Sequence, residues 1–544
     1  MSQRRMGEAF HRLLSRLRGL PIEHDLRPYR RTLRRIDASD LSGMSDDDIA
    51  AQADRLRRRA RDGESLDELL PACYALARES AARRLGLWPF DVQMMAAAAL
   101  HKGRVVQMAT GEGKTLVAVL PAVLNALSGR GVHILTANDY LARRDAAWMG
   151  PVYRQLGLSV ASISQGMDRD QRRAAYAADV TYVTAKEAGF DFLRDQTMTD
   201  PAGVVQRPFQ YVIVDEADFI LIDEARVPLV IAGAAPAPPV PHEVVAAAVR
   251  QLRAGVDFLI DENARNVALT DAGFLRARQL LGCPPLHLPE QQTLLAGIHV
   301  ALHALVLLHG DRDYIVRRGR IELVDEFTGR VADNRRWPHG IQPAIEAKEG
   351  LDVQPEGNVL GSIPVQHFVR LWPKISGMTA TAEPSAVELH EFYGLKTVLF
   401  PPNRPCMRVD EPDVVFTHRA AKMAALVEEI GRVQPTGRPV LVGTSSVAES
   451  EELAAALRQR HVKCRVLNAR RDAREALIVS RAGTPGAVTI STNMAGRGTD
   501  IVLGGGDPVA RERVAGLGGL YVICLLYTSP SPRDLSTSRM PSSA

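Results

Sequence analysis

The sequence predicts an α/β protein assembled around parallel sheets, and three observations predict it. Short apolar runs rich in β-branched residues alternate with helical stretches along much of the 544 residues, and strands separated by helices read as βαβ units of a parallel sheet. A glycine-rich loop, Met108-Ala109-Thr110-Gly111-Glu112-Gly113-Lys114-Thr115, stands between the strand candidate Val105–Gln107 and the helical run Leu116–Leu127. A further apolar run, Val212-Ile213-Val214, ends in the acids Asp215 and Glu216.

Composition narrows the class. A chain of 544 residues can hold roughly three or four domains and bury sizeable cores. Apolar residues make up 46% and charged residues 24%, which excludes collagen-like, disordered and disulfide-scaffold proteins. The 67 basic and 63 acidic residues leave +4, too weak a bias to demand a nucleic-acid partner. Cys73, Cys283, Cys406, Cys464 and Cys524 are scattered, so neither a zinc site nor a disulfide framework is expected, in keeping with a reducing cytosol. No run of about 18 apolar residues is long enough to span a bilayer, and the N-terminus lacks the apolar core of a secretory signal.

The elements follow in order. Residues 1–36 carry ten arginines against three acids, with Met6, Phe10, Leu13, Leu14 and Leu17 at helical spacing. Such a helix either lies on an anionic phospholipid surface or docks on its own protein with the arginines in water. From Leu41 to Leu100 the pattern is helical, and Ser45 before Asp46, Asp47 and Asp48 marks a capped helix start. Strand candidates Val132–Thr136, Val180–Val183 and Tyr211–Val214 continue the α/β rhythm. Ala232–Pro241 is a Pro/Ala linker and a boundary. Beyond it, Tyr314–Val316 and Ile321–Val324 are joined by a tight Arg-Arg-Gly-Arg turn. The rhythm resumes at Gly377. Phe400–Pro405 is a second boundary, and Val440–Val442, Cys464–Leu467 and Val488–Ile490 read as another parallel unit. In Cys524–Ala544, 11 of 21 residues are Ser, Thr or Pro, and no packed element is expected there.

The loop carries the chemistry. Glycines let backbone N–H groups turn toward phosphate oxygens, and the following helix offers its positive end. Thr110, Gly111, Glu112, Gly113, Lys114 and Thr115 are therefore candidates to bind nucleotide, with Lys114 on the terminal phosphates and Thr115 on Mg²⁺. Met108 stands where the phosphate-loop pattern has its first glycine. Asp215 is the candidate to hold Mg²⁺ through its shell, and Glu216 to orient the attacking water. Gln93, 21 residues before Lys114, carries an amide that can pair with both edge groups of adenine. Asp215, Glu216 and Lys114 form the candidate catalytic set.

In this order the pieces resemble a superfamily-2 ATPase with two RecA-like lobes. The segments Gly111–Leu116, Thr136–Asp145, Ile220–Arg226, Ile345–Gly350, Gly377–Ala382 and Thr492–Gly505 resemble the SecA family, the ATPases of bacterial preprotein translocation. The likeness runs from about Tyr29 to Ile523. Glu216 and Thr379 are 163 residues apart, far more than a connecting loop needs, so an extra domain is expected inside the first lobe. By resemblance it is the preprotein cross-linking clamp. The expected division is a basic segment at 1–36, a first lobe at 37–233 and 364–402, the clamp at 234–363, and a second lobe at 403–523. In that lobe Arg497 and Asp500, within Ala495–Asp500, would contact nucleotide.

The resemblance implies Mg-ATP hydrolysis that drives unfolded preproteins through the Sec membrane channel, from the cytoplasm or the cytoplasmic face of the inner membrane. It implies no nucleic-acid partner and leaves a homodimer open. A nucleic-acid helicase on the same motor, and a fragment that binds nucleotide and polypeptide without turnover, are the competing readings. Two departures stand out locally. Ala185-Lys186 occupies the place of two asparagines before Glu187, and Ala380 replaces a glycine. After Ile523 the family's Arg-rich motif is missing, and 524–544 look like translated adapter or vector sequence. An incomplete copy with weak turnover is the expectation.

Overall fold

A computed structural model describes residues 19, 21–39, 41–234, 240–261, 266–317, 319–324, 337, 340–353, 357–467, 478–479, 481–492 and 501–525. The chain divides into two compact units, residues 1–231 with 360–412 and residues 232–359 with 413–544.

The first unit opens with β1 (Ile22–Glu23) and the helix Arg27–Asp37. Tyr29, Leu33 and Ile36 share one stripe of that helix and are buried, while Arg30, Arg31, Arg34 and Arg35 stay exposed. This helix docks on its own protein, because a 3.6-residue apolar period gives it one face to bury. The stretch carrying Met6 to Leu17 lies outside the described residues. The next helices are Asp46–Arg61, Leu66–Leu85 and Asp91–His101. Ser45 caps the first of them: its hydroxyl accepts the Asp48 N–H at 3.1 Å, and the Asp48 carboxylate accepts the Ser45 N–H at 3.0 Å.

Then strand and helix alternate. β2 (Arg104–Gln107) precedes the helix Lys114–Ala126, β3 (Val132–Thr136) the helix Asp139–Gln155, and β4 (Val160–Ser162) the helix Arg169–Ala177. β5 (Val180–Thr184) leads into the helix Ala185–Gln196, and β6 (Tyr211–Asp215) into a π-helical turn at Phe219–Asp223 before β7 (Pro228–Ala234).

The segment from 232 to 359 holds the helix His242–Val249, the antiparallel pair β8 (Phe258–Ile260) and β9 (Val267–Leu269), and the helices Asp271–Leu281 and Gln292–Val306. A hairpin of β10 (Tyr314–Arg317) and β11 (Arg320–Leu323) precedes the helix Ile341–Lys348. The tight turn read from the sequence is this hairpin, with Arg317 opposite Arg320. One core gathers Val245, Val249, Phe258, Ile298 and Leu302, and a smaller one Tyr314, Ile321 and Ile345.

β12 (Gly357–Pro364), which pairs with β7, leads back to β13 (Lys374–Thr379) and β14 (Lys396–Leu399). The eight-stranded sheet of the first unit then runs β1-β14-β2-β13-β6-β3-β5-β4. Its ladders are parallel throughout. β6 and β13 are neighbours, with Asp215 beside Met378, although the whole 232–359 segment separates them in sequence. Both faces are covered, as a parallel sheet requires. Along β6, Tyr211 and Ile213 enter one core with the helices Leu66–Leu85 and Lys114–Ala126. Val212 and Val214 enter the other with Phe368 and Trp372.

The described part of residues 413–525 forms a second parallel sheet. β15 (Val440–Thr444), β16 (Arg465–Leu467), β17 (Val488–Thr492) and β18 (Tyr521–Cys524) lie in the order β16-β17-β15-β18. The helices Arg419–Val433 and Val447–Gln459 supply Leu426, Ile430, Leu453 and Leu457 to its core.

One sequence expectation changes. Cys524 is not outside the fold: it closes β18 opposite Gly443, and the Leu525 N–H donates to the Gly443 carbonyl at 2.8 Å. The apolar run Tyr521-Val522-Ile523 carries its ladder one register further than composition indicated. Residues 526–544 lie outside the described residues. The stretch Phe400–Pro405, read as a boundary, starts against the first sheet. Phe400 is buried and its N–H donates to the Gln107 carbonyl at 3.0 Å, and the first unit extends to Pro412.

Candidate nucleotide site

The glycine loop leaves the C-terminal end of β2, where a parallel sheet presents ligands to its crossover connections. Met108 is the pivot. Its N–H donates to the Thr379 carbonyl at 2.9 Å, and its side chain is 1% exposed in the core. The residue that breaks the glycine pattern therefore anchors the loop. Gly111 (φ +85°) and Gly113 (φ +73°) take left-handed backbone, which residues with a Cβ adopt only under strain. Gly113 is the N-cap of the helix that begins at Lys114, and its carbonyl accepts the Leu116 and Val117 N–H groups at 3.0 and 3.2 Å. Thr110, Gly111 and Gly113 are exposed, and Glu112, Lys114 and Thr115 half-buried.

Gln93 belongs to the helix Asp91–His101 and lies against the loop. Its Oε1 accepts the Phe90 N–H at 2.8 Å, and its Nε2 donates to the Glu112 carbonyl at 2.8 Å. A Cβ at Gly113 would stand 2.6 Å from that Nε2, so a side chain there would also displace the Gln93 amide from the loop.

β6 delivers the acids. Asp215 is buried, and burial is the main force pushing its carboxyl up to about 7. The neighbouring Glu216 charge adds to the rise, and Lys114 opposes it. The Asp215 Oδ1 accepts the Glu216 N–H at 3.0 Å. Glu216 itself sits at φ +51°, an uncommon left-handed conformation for a residue with a side chain. The strand end therefore turns sharply, and the two acids take different settings. The π-helical turn at Phe219–Asp223 follows directly. Such turns recur at functional sites.

Several residues at this edge carried no individual role in the sequence. The Thr381 hydroxyl donates to the Asp218 carboxylate, and the Thr381 N–H donates to the Thr379 hydroxyl at 3.2 Å. The Gln107 Oε1 accepts the Glu383 N–H at 2.7 Å, fastening the stretch after β13 to the end of β2. Lys186, where the pattern departs from asparagine, pairs with Glu224 at 2.9 Å. The signal for Asp218 and Thr381 was present as short motifs. Their partnership was not, because it depends on β6 and β13 being neighbours. Arg497 and Asp500 lie outside the described residues.

Oxygen donors gathered in this way suit a hard divalent cation. Thr115 offers a hydroxyl and Asp215 a buried carboxylate whose charge Lys114 and the Glu216 N–H favour against its burial, so the chemistry of these donors suits Mg²⁺.

Two parallel-sheet lobes, the first with a glycine loop at a helix start and an acidic strand end two strands away, define a P-loop nucleotide-binding protein of the RecA-like kind. Residues 14–390 match the SecA DEAD-like domain, and residues 405–516 match the SecA P-loop domain. The chain is 47% identical over 497 residues to the protein translocase subunit SecA of Rubrobacter xylanophilus, covering 91% of this chain and 55% of that one. It is 48% identical over 465 residues to the SecA of Carboxydothermus hydrogenoformans, covering 86% and 53%. To SecA 2 of Thermobifida fusca it is 48% identical over 520 residues, covering 95% and 67%. This chain belongs to the SecA family. It spans a little over half the length of the first two relatives. Among the described residues no helix is long and apolar enough to cross a membrane.

Proposed function

We propose that this chain is the nucleotide-driven portion of a preprotein translocation motor, binding and hydrolysing Mg-ATP at the first parallel sheet. The observation that carries the reading is the juxtaposition of Lys114, at the start of a helix capped by left-handed Gly113, with the buried acid Asp215. In this reading the N–H groups of 111–115 and the Lys114 ammonium hold the β- and γ-phosphates. Gln93 turns its amide from Glu112 to the adenine edge. Thr115 and Asp215 hold Mg²⁺, which when bound neutralises charge on the terminal phosphates. Glu216, which follows Asp215 on left-handed backbone, orients the attacking water and takes its proton. Arg497 and Asp500 are, in the same reading, further nucleotide contacts.

The segment from 234 to 363 is, in the same reading, the clamp that grips unfolded preprotein. The Sec channel and an anionic phospholipid surface are the membrane partners, met from the cytoplasmic side. The relatives are named protein translocase subunits, which supports carrying these partners over.

The test is to titrate the 544-residue chain with Mg-ATP, and to photo-crosslink it to an unfolded preprotein with probes between 242 and 349. Nucleotide binding with cross-links to polypeptide is expected. Absent cross-links, together with nucleic-acid binding that weakens steeply with salt, would overturn the reading in favour of a helicase.

A further inference from the structure

Glu112 is the only acid in the loop from Met108 to Thr115. An acid in a loop that faces phosphates is unfavourable unless its charge is directed elsewhere. Here it is directed elsewhere. The Glu112 carboxylate accepts the Asn403 N–H at 3.0 Å, while its carbonyl accepts Gln93 Nε2 at 2.8 Å. Pro401 and Pro402 lack N–H groups, so Asn403 offers the first backbone donor after Phe400. The Phe400 N–H is already taken by the Gln107 carbonyl at 3.0 Å. The proline-rich segment is thus pinned at Phe400 and at Asn403 to the strand and loop that begin the nucleotide site.

We propose that Glu112 is a positioning residue that ties nucleotide affinity to the course of the Phe400–Pro405 segment. While Asn403 holds the carboxylate, the charge points away from the phosphate cradle. When that segment shifts and Asn403 leaves, the carboxylate turns toward the phosphates and weakens their binding. Nucleotide release is then favoured by movement of a segment that itself touches no nucleotide. The inference rests on the reading that Gly111–Thr115 cradles the phosphates of ATP.

Three variants of the full chain test it by Mg-ATP titration, with amide exchange at Asn403 as a second readout. Asn403→Pro removes the donor and keeps the charge, and should weaken binding about threefold to tenfold. Adding Glu112→Gln to that variant should restore the affinity, because the repelling charge is gone. Glu112→Ala alone should bind Mg-ATP at least as tightly as the parent while speeding exchange of the Asn403 amide, because the charge it removes is already held away from the phosphates and the backbone N–H stays. If Glu112 only braced the loop, Glu112→Ala would weaken binding instead, and that result overturns the proposal. So does Asn403→Pro binding like the parent, or a double variant that stays as weak as the single one. A parent chain that binds no Mg-ATP overturns both this inference and the nucleotide reading beneath it.

Discussion

The hydroxyl of Thr381 donates to the carboxylate of Asp218 across 163 residues of sequence. The bond exists because β6 and β13 are adjacent in the sheet while a whole segment leaves and returns between them. It joins the turn after the acidic strand end to the Thr379–Thr381 stretch, so a shift of one moves the other.

Thr381→Val keeps the shape and removes the donor. Asp218 is nearly buried, and its Oδ1 still accepts the Phe219 N–H at 2.9 Å. The variant should lose about 1–3 kcal/mol of stability in chemical denaturation. ATP turnover should fall more than ATP affinity, since the bond lies beside Glu216 rather than on the loop. Unchanged stability and turnover would show that the bond transmits nothing.

The acidic strand end and the loop should separate by their effects. Lys114→Ala should abolish Mg-dependent ATP binding, because the cation that meets the terminal phosphates is gone. Glu216→Gln should bind nearly as the parent does and hydrolyse at least about a hundredfold more slowly, the usual scale for a lost general base. Parental affinity in the Lys114 variant would place the nucleotide elsewhere.

Gln93 carries base selectivity in the proposed site. Gln93→Ala should reduce the preference for ATP over GTP by about tenfold or more, because the edge-specific amide is removed. Competition titrations with the two nucleotides measure it. Equal loss for both would mean that the residue only supports Glu112 from below.

His133 makes the first unit sensitive to acid. It is buried, and its Nδ1 accepts the Trp372 indole N–H at 3.2 Å. Burial, with Arg207 assisting, pushes its protonation down to about 3 from the usual 6.5. The unfolded chain therefore takes up a proton below about pH 6.5 that the folded chain refuses until about 3. Stability from this source is complete above 6.5 and declines as the pH falls through that window. His133→Asn keeps an acceptor for Trp372 and removes the titration. Melting temperatures between pH 7.5 and 5 should fall less steeply in the variant, and equal slopes would contradict this account.

Much of this was legible in the sequence because it is local. The glycine loop, the β6 acids and the Ser45 cap depend on residues within a few positions of one another, and each sits where the pattern placed it. Tyr29, Leu33 and Ile36 show the limit. They form the apolar face of the helix Arg27–Asp37, and nothing local says what covers such a face. The Asn403 amide on Glu112 was invisible for another reason. It depends on where β14 falls beside β2, a sheet neighbour that a linear reading does not supply. Met108 shows a third case: what looked like a lapse in the phosphate-loop pattern is a core side chain that fastens the loop.

The neighbouring of β6 and β13 sets a timetable for the newborn chain. Ribosomes add about 5–20 residues each second. The 163 residues between Asp218 and Thr381 therefore take roughly ten to thirty seconds to appear. Until then β6 has an unpaired edge on the side that β13 will take, and β2 lacks its neighbours on both sides. Apolar strand edges left open for that long invite foreign strands. The intervening segment has cores of its own and can fold during the wait, but it cannot close the sheet. Slower translation between β7 and β13 would lengthen the exposure of this half-built sheet rather than shorten it.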